Sequence, residues 1–555
     1  LIFMNFFSKI FRYQPQKEYN FILPNSSNNI LVEENENIDI YPTLSVNLDY
    51  LKVKYNLIIN SDINVRQFIL PIKSKNFSAA IIYIDGIVDS TSINTSILTP
   101  LLLRNSITMQ PTNVSAVSKN ISVKRVQKFN LEDFLFNSLI PQNNVKKVKK
   151  FNELIEKLNN GFCILLVDTL NTAFCIETKK MPGRSIDTAK NESIIQGPQE
   201  AFVENIRDNT GLIRKIINNE NLVMESFNVG KITNTQVAIC YMKNITNDDL
   251  IAEVKYRVQN LDIDFLTSSG ELQQLIKDNP KLHMPQLLST ERPDKACNAL
   301  LNGKVVIIVN GSPYVLIAPA VLVDFLESPE DINLNYRLSN SLRFLRGLAF
   351  IFATFLPGFY VAITNFHQEL IPSELLFAIS SSRESIPFPV IFEILIMEVS
   401  FELLREAGLR VSSSFSNTIG IIGALVLGEA AVNANIVSPI LIIIVAFTGI
   451  CGFAIPDFLL SFSIRIFRFI YIILGYLAGF LGIAVGFYLH FVYWSSITSF
   501  GVPYFSPYVP ISDFKENSNY ILKGIWNRDN RNRNLNTKRP QKEEKISMKW
   551  RQNTK

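Results

Sequence analysis

The sequence predicts a soluble α/β N-terminal half made of two similar modules, an α-helical multi-span membrane domain and a basic disordered tail. Three observations predict this division. Residues 347–495 hold only 14 charged side chains, whereas the other 406 of the 555 residues hold 89. Two pairs of segments in the first 340 residues recur at fixed offsets. Residues 515–555 carry 12 basic and 4 acidic side chains, although the formal net charge of the whole chain is only +5.

We expect five units along the chain. They are an N-terminal extension (1–39), a first cytoplasmic α/β module (40–197), a second cytoplasmic α/β module (198–340), a transmembrane helical domain (341–500) and a C-terminal basic tail (501–555). The first twelve residues lack the cationic leader and the long apolar run of a secretory signal. This favours a cytoplasmic location for the N-terminal half.

The two modules are expected from internal repeats. Ile58-Ile59-Asn60 and Tyr83 recur as Ile216-Ile217-Asn218 and Tyr241 at an offset of 158 residues. The apolar runs 161–168 and 303–310 recur at an offset of 142, and each is typical of a buried strand that ends at a turn. Helices are expected before these strands, at 152–158 and 293–301. The pattern favours duplication of one α/β module.

Nothing in the soluble half predicts catalysis. Gly303-Lys304 lacks the spacing of a phosphate-binding loop, and no Gly-x-Gly-x-x-Gly is present. The five cysteines and three histidines show no short metal-ligand spacing, so we expect no metal and interpret the cysteines as buried apolar side chains. His283 is interpreted as structural or solvated. We therefore expect neither an enzyme nor a cofactor.

The apolar region holds four to five segments long or apolar enough to count as membrane spans. They are expected at about 347–366, 388–406, 419–437, 439–460 and 469–494. Arg343 and Arg346 precede the first, and Arg465 and Arg468 precede the last, which favours cytoplasmic starts for both. Pro357-Gly358 is expected to kink the first. A cytoplasmic tail would require an even number of crossings, so we predict that 387–408 does not cross as an ordinary lipid-facing span. Positive-inside counting alone would instead let it cross, with Arg405 and Arg410 inside, and leave the tail outside.

The second segment, 387–408, is the exceptional one because it carries five charged residues. Glu398, Glu402, Arg405 and Glu406 share one helical face, and Glu393 lies opposite. One interpretation is a surface helix with a local Glu402–Arg405 ion pair. The other is a helix in the interior of the assembly or beside a polar path, since ionisable groups at membrane depth rarely face lipid. Glu398, Glu402, Arg405 and Glu429 are the candidate residues of such a path or gate.

Four glycines indicate close helix packing in the last span. Gly475, Gly479, Gly482 and Gly486 are spaced 4, 3 and 4 residues apart and would share one face of a continuous helix. Small residues let membrane helices approach closely, within one chain or between subunits. His490, near this face, is interpreted as an interfacial histidine, with a proton-relay role as the alternative.

The basic tail allows three interpretations. A disordered, solvated tail that fixes membrane orientation is favoured, and binding to anionic lipid comes next. Nucleic-acid binding ranks third because no folded reading motif accompanies the charge. We expect membrane lipids, and no nucleic acid, as partners.

A series of motifs then resembles a known family. The motifs are Gly197–Glu204 (GPQEAFVE), Leu212-Ile213-Arg214, Glu291-Arg292-Pro293-Asp294, Ser328-Pro329-Glu330-Asp331, Phe366-His367-Gln368-Glu369, Ser382-Arg383-Glu384, Phe401–Gly408 (FELLREAG), Val437-Ser438-Pro439 and Phe500–Tyr504 (FGVPY). From about residue 40 to 512 the chain resembles the A subunit of the GerA-type spore germination receptors. Asn302-Gly303 and Asn310 depart from the acidic residues usual in such proteins, and the segment 412–418 departs from the usual linker.

The resemblance implies a subunit of a nutrient-responsive receptor in the spore inner membrane. Its expected partners are a B subunit of amino-acid-transporter type, which is the expected nutrient binder, and a C lipoprotein subunit. The A subunit is expected to be the oligomeric, ion-conducting component. Two alternatives remain: a secondary transporter that carries a small solute, and a membrane-embedded enzyme, which would need clustered acids or histidines.

Overall fold

The structure is a computed structural model of the 555-residue chain. It describes the following residues: 21–24, 38–72, 75–103, 131–180, 189, 192, 194, 196–410, 428–508, 522 and 530–542. Residues 419–427 of the expected span 419–437, the departing segment 412–418 and most of the extension 1–39 lie outside these ranges.

The first module is an antiparallel five-stranded sheet with helices against it. The strand order is β1-β2-β4-β5-β3. The strands are β1 Ile63–Ile72, β2 Lys75–Ile84, β3 Val145–Val148, β4 Phe162–Val167 and β5 Ala173–Glu177. Helices α1 (Leu44–Tyr55) and α2 (Phe151–Asn159) contribute to the apolar core. β4 is buried along its whole length, as its continuous apolar run predicts.

The second module repeats this arrangement in the order β6-β7-β9-β10-β8, again antiparallel. Its strands are β6 Leu222–Val229, β7 Thr235–Met242, β8 Leu288–Thr290, β9 Val305–Val309 and β10 Val315–Ala318. Its helices are α3 Ile206–Ile216, α4 Asp248–Gln259, α5 Ser269–Ile276 and α6 Pro293–Leu301. The predicted helix 293–301 has these same bounds.

Strand register relates the two sheets residue by residue. Ala79 pairs with Val167 in the first sheet, and Val237 pairs with Val309 in the second. The first members of these pairs are 158 residues apart and the second members 142 apart, which are the two offsets seen in the sequence. The soluble half is therefore a mixed α/β structure with two sheets of one topology.

The modules are joined by polar contacts that are buried. The Arg214 guanidinium donates to both carboxylate oxygens of Asp62, at 2.7 and 3.1 Å, and both residues are at most 3% exposed. The Ser61 amide donates to the Met224 carbonyl at 2.9 Å. Arg214 belongs to the Leu-Ile-Arg motif, so that motif has a clear structural role between the modules.

The helical part begins before the predicted boundary. Its helices are α7 Tyr336–Phe366, α8 Ser373–Arg383, α9 Val390–Arg410, α10 Pro439–Phe453 and α11 Phe458–Ser495. Two of them, α7 and α11, are long and apolar enough to cross a membrane. The expected span 439–460 is wrong in its bounds, because α10 ends at Phe453 and Asp457 caps the start of α11.

The prediction of one continuous helix over 469–494 is also wrong. Ala478 and Gly479 have non-helical dihedral angles, with φ of +57° at Gly479. A left-handed φ is readily available only to glycine. The side chains of residues 471 and 490 meet across this break, so α11 is a hairpin of two antiparallel arms, 458–477 and 480–495.

Contacts fix the direction of each helix relative to the second module. Near that module, α7 begins beside Asp331 and the first arm of α11 begins beside His283. At the opposite end, α7 finishes against the turn at Gly479. α9 begins beside Ser438 at that far end. Both α9 and α10 therefore run back toward the soluble half, as the second arm of α11 does.

The prediction of a disordered tail is wrong for the described part of it. Strands β11 (Thr498–Ser499) and β12 (Val502–Pro503) form a small hairpin against the second module. Residues 530–542 also pack there, with Leu535 only 2% exposed. Apolar side chains and backbone hydrogen bonds hold this segment in place, which its basic composition did not predict.

Candidate functional site

Two pairs of opposite charges connect α9 to the first arm of α11. Glu398 and Glu402 are four residues apart on α9, and Arg465 and Arg468 are three apart on α11, so each pair lies on one helix face. Arg468 Nη1 donates to Glu398 Oε2 at 2.7 Å. Arg465 Nη1 donates to Glu402 Oε1. We call these four residues the charged layer.

The two pairs differ in burial. The side chains of Glu398 and Arg468 are 3% and 7% exposed, so this pair is enclosed by the helices. Arg465 is also 7% exposed, but Glu402 is 38% exposed. An enclosed ion pair loses much of its hydration and depends on its partner, whereas a half-exposed one keeps part of its solvation. The charged layer therefore has one closed side and one open side.

Arg468 also binds a third helix. Its Nε donates at 2.8 Å to the carbonyl of Ala353 in α7. That carbonyl would normally accept from the amide of residue 357, but residue 357 is proline and has no N–H. Pro357 lies within α7, which is continuous from Tyr336 to Phe366. Because of the proline, the Ala353 carbonyl has no helical donor and is available to accept a hydrogen bond from Arg468.

The charged layer is not fully satisfied by hydrogen bonds. Glu398 Oε1 and Arg465 Nη2 are buried and have no hydrogen-bond partner within the described part of the chain. Buried polar groups are normally paired, and an exception calls for an explanation such as a functional role. The layer can thus accept one further donor at Glu398 and one further acceptor at Arg465.

Arg405 borders this layer, since its Nη1 and Arg468 Nη2 would both lie 3.8 Å from a Cβ on Gly452, whereas Glu429 and Glu393 make other contacts. The Arg405 guanidinium lies 4.4 Å from the centre of the Phe453 ring, and Glu402 contacts Arg465 of another helix. A purely local Glu402–Arg405 pair is therefore wrong. Glu429 is exposed on the short helical segment 428–433. Glu393 is fully buried and accepts from Arg383 and from the Ser438 amide at the far end of α9.

The outward face of α9 is apolar. Its exposed large side chains follow the spacing 4, 3 and 4 and are Phe392, Ile396, Val399 and Leu403. A helix on a membrane surface would expose its charges and bury its apolar face. Here Glu393 and Glu398 are buried together with Ile394 and Met397, so the surface-helix interpretation is wrong for this part of α9.

The four glycines provide close packing, although not on one continuous face. A Cβ on Gly475 would lie 2.5 Å from the Gly358 carbonyl oxygen of α7. Gly479 forms the turn of α11. Gly482 and Gly486 lie against Leu474 of the first arm, and a Cβ on either would collide with it. The contacts are between helices of one chain.

His490 lies inside this hairpin. Its Nδ1 is 2.9 Å from the Tyr471 hydroxyl, and its ring packs against Phe467 and Trp494. Nε2 is buried without a hydrogen-bond partner among the described residues. The histidine is thus surrounded by aromatic side chains, an environment that sequence position alone did not indicate.

A second buried charge cluster connects the helical part to the second module. Asp331 is 0% exposed and accepts from Arg343 Nε at 2.9 Å and from Arg346 Nη1 at 2.8 Å. The sequence assigned both arginines to a positive flank. Their aspartate partner lies in the Ser-Pro-Glu-Asp motif, fewer than 20 residues upstream. That acid–base proximity was the signal that could have revealed the cluster.

A further motif residue, Arg292, holds the chain that leads into the second module. It is 0% exposed and donates to Asp294 and to the carbonyls of Glu192 and Pro198. The Glu-Arg-Pro-Asp and Gly-Pro-Gln-Glu motifs are therefore in contact. Within the described ranges, no group of three or more His, Cys, Asp or Glu side chains is placed to hold a metal ion.

A two-sheet α/β half joined to an apolar helical bundle with buried ion pairs defines a membrane-associated protein with a large soluble part. Comparison with known proteins identifies its family. Residues 49–534 match the family model described as Bacillus/Clostridium GerA spore germination protein. The chain belongs to this GerA family of spore germination receptor A subunits.

Individual relatives agree with this assignment. Spore germination protein KA of Bacillus subtilis (strain 168) is 38% identical over 86% of this chain and 84% of its own length. Spore germination protein A1 of the same organism is 38% identical over 66% of this chain. The uncharacterized membrane protein YfkQ, also of that organism, is 35% identical over 89% of this chain and 91% of its own.

One solved structure is also similar. It is the crystal structure of the N-terminal domain of the A subunit of the Bacillus megaterium spore germinant receptor GerK3. It is 30% identical, covers 52% of this chain and 99% of its own, and gives a TM-score of 0.36. Membership of the family does not favour the transporter alternative, and the family is one of receptor subunits rather than of known enzymes.

Proposed function

We propose that this chain is the A subunit of a nutrient-responsive receptor in the spore inner membrane, with its sheets in the cytoplasm. Its helical part contributes an oligomeric element that conducts ions or gates their passage. Its partners are further copies of itself, a B subunit of amino-acid-transporter type and a C lipoprotein subunit. Family membership supports the receptor role, and the charged layer supports the gating role.

The directions of the helices support a multi-span arrangement. α7 leads away from the soluble half, α9 and α10 lead back, and α11 leads away and returns. The described tail segment lies beside the second module, where Lys538 contacts Asp248. This contact supports an even number of crossings, with the tail and the soluble half on the same side of the membrane.

The outer faces of the bundle suit a lipid environment. Besides the apolar face of α9, both arms of α11 expose large apolar side chains, among them Ile473, Leu477, Leu481 and Val485. In water such an exposed apolar surface would favour aggregation. In a bilayer the same side chains would contact the hydrocarbon core, which is itself apolar. Membrane lipids are therefore the proposed surroundings of these helices.

The observation that carries the gating proposal is the pair of unsatisfied charged atoms in the charged layer. Ionisable groups at membrane depth are costly and are typical of ion pathways. Glu398 Oε1 and Arg465 Nη2 are buried beside existing ion pairs. A water molecule or a monovalent cation at Glu398 would complete the coordination there. Separation of α9 from α11 would open the layer to such an ion.

Deletion of the gene in the source organism tests the receptor role. Spores of the deletion strain should fail to germinate with one nutrient or a defined set of nutrients and respond normally to high pressure or to a non-nutrient germinant. The wild-type gene supplied elsewhere should restore the response. Normal germination with every nutrient that triggers the parent strain would contradict the receptor role.

A further inference from the structure

In the first module, the three residues that follow β5 (178–180) pair with the backbone of residues 87–89 at one side of the sheet, which we call the flank. The Lys180 amide donates to the Ile87 carbonyl at 3.0 Å, and Lys179 forms an isolated bridge with Val88. Lys179 also lies over Gly161, whose φ is +83°. The segment 178–180 is the direct continuation of the strand.

In the second module the direct continuation goes elsewhere. By the offset of 142, Pro319 corresponds to Glu177, whose amide donates to the Asn144 carbonyl at 3.0 Å. Proline has no amide hydrogen and cannot extend that pairing. The next residues turn to the β11–β12 hairpin, where the Ala320 amide donates to Ser499 Oγ at 3.1 Å. The flank equivalent to residues 178–180 is thereby left open.

Tail residues 536–538 occupy this flank. The Lys538 amide donates to the Ile245 carbonyl at 2.9 Å, and Ile245 corresponds to Ile87 at the offset of 158. Thr537 lies over Gly303, which corresponds to Gly161 at the offset of 142 and has φ of +91°. Two independent offsets thus place the tail in the position of residues 178–180.

The side chains repeat the same arrangement. In the first module Lys180 Nζ lies 3.4 Å from Asp89, the N-cap of a helical turn. In the second module Lys538 Nζ lies 2.5 Å from Asp248, which follows Asn247, the N-cap of α4. The residue two positions before each lysine also contacts the capping residue. The Thr178 carbonyl accepts from the Asp89 amide, and the Asn536 carbonyl accepts from Asn247 Nδ2.

Other tail contacts anchor this segment on both sides. Arg531 Nε donates to the carbonyl of Leu301 at 2.8 Å, at the end of α6. Leu535 is buried in the core of the second module. Asn536 Nδ2 donates to the Leu23 carbonyl at 3.1 Å, so the described N-terminal segment 21–24 is included.

We infer that the second module has a peptide-binding groove, lined by Ile245, Asp248, Leu301 and Gly303, whose occupant is the chain's own segment 530–542. The whole helical part is thus inserted between β10 and the segment that completes its sheet. This inference is independent of the ion-conducting role. The groove recognises an extended peptide with a lysine after a small residue, and both ends of the helical part are attached to one module.

Controlled cleavage of the full chain tests the groove. A protease site is inserted within residues 512–519, the detergent-solubilised chain is cleaved, and the retained tail fragment is followed by size exclusion over time. The wild-type fragment should co-elute with the body. Lys538→Ala should release it about tenfold faster, because Lys538 Nζ also donates to the Lys243 carbonyl at 2.9 Å and would lose charged hydrogen bonds.

Two comparisons keep the result interpretable. Asp248→Asn should speed release, whereas the neighbouring Asp249→Asn, which alters the same helix end, should not. A labelled peptide of residues 530–542 should exchange into the cleaved body, and its Lys538→Ala version should bind about tenfold more weakly. Immediate loss of the wild-type fragment, or equal release from wild type and Lys538→Ala, would overturn the inference.

Discussion

Arg468 Nη1 lies 2.7 Å from Glu398 Oε2, between α9 and α11, while Nε of the same guanidinium donates to the Ala353 carbonyl of α7. One arginine therefore connects three helices. The carbonyl is available because Pro357 has no N–H, and Gly358 lets the backbone of α11 approach closely at the next position. The Pro-Gly pair, expected from the sequence only to kink α7, positions the charged layer.

Neutralising Glu398 should destabilise the helical part more than neutralising Glu402. Glu398→Gln leaves the enclosed Arg468 without its counter-charge, a loss of about 3–5 kcal/mol for a buried pair. Glu402→Gln affects a half-exposed carboxylate and should cost on the order of 1 kcal/mol. Immunoblots of membrane fractions should show clearly lower abundance for Glu398→Gln alone. Equal abundance of the two variants would contradict the burial difference.

Gly475→Ala should weaken packing of α7 on α11. The added methyl would lie 2.5 Å from the Gly358 carbonyl oxygen, and overpacking of this kind costs about 1–3 kcal/mol. Gly449→Ala is the matched control, because a Cβ there meets nothing within 4 Å on another apolar helix. Detergent-solubilised Gly475→Ala should unfold at a lower temperature than Gly449→Ala. Identical unfolding midpoints would contradict the close packing of α7 on α11 at Gly475.

Gly482→Leu should reduce recovery of the assembled receptor. A leucine at this position cannot fit against Leu474 within the α11 hairpin, so the outer arm would be displaced. Oligomer yield after mild solubilisation measures the effect, and the soluble half should keep its folded signature in limited proteolysis. Normal yield would mean that the second arm does not need to pack on the first.

Arg214→Ala should uncouple the two modules. It removes both hydrogen bonds to the buried Asp62 carboxylate, at a cost of about 3–5 kcal/mol. Lys54→Ala is the control, because its ion pair with Glu220 is longer, at 3.7 Å, and partly exposed. Protease cleavage between the modules, near residue 190, should accelerate only in Arg214→Ala. Equal cleavage of the two variants would contradict an Asp62-centred interface.

The sequence predicted much of the soluble half because its signals are local and repeated. Continuous apolar runs identified β4 and β9, and the offsets of 158 and 142 agree with the strand register. The helix at 293–301 has Pro293 at its first position, a favourable start for a helix. These features depend on neighbours in sequence, so composition and spacing suffice to find them.

The helical part was harder to predict because its decisive contacts are distant in sequence. Arg465 and Arg468 were interpreted as a positive flank, since only the fold brings them beside Glu402 and Glu398, more than 60 residues earlier. Gly479 fits a continuous glycine face as well as a turn, and only its left-handed φ distinguishes the two. The position of the tail was also hidden, because the residues equivalent to 178–180 of the first module are residues 536–538, which the whole helical part separates from β10 in the sequence.

Cysteine labelling tests whether the tail and the soluble half share one side of the membrane. The five native cysteines are buried, and burial raises the pKa of the Cys163, Cys240 and Cys297 thiols, so background labelling should be slow. Lys549→Cys should resist an impermeant reagent added outside. Glu369→Cys, at the far end of α7, should react readily. Strong labelling of Lys549→Cys from outside would contradict the even number of crossings.

The most direct test of the gating role is nutrient-triggered release of monovalent cations from spores that carry Glu402→Arg, Arg465→Glu or both changes, compared at matched protein abundance. The charged layer predicts altered release in each single variant and recovery toward the wild-type rate in the double variant, because the exchanged charges can pair again. Release at the wild-type rate in both single variants, at wild-type abundance, would contradict a role of this ion pair in gating.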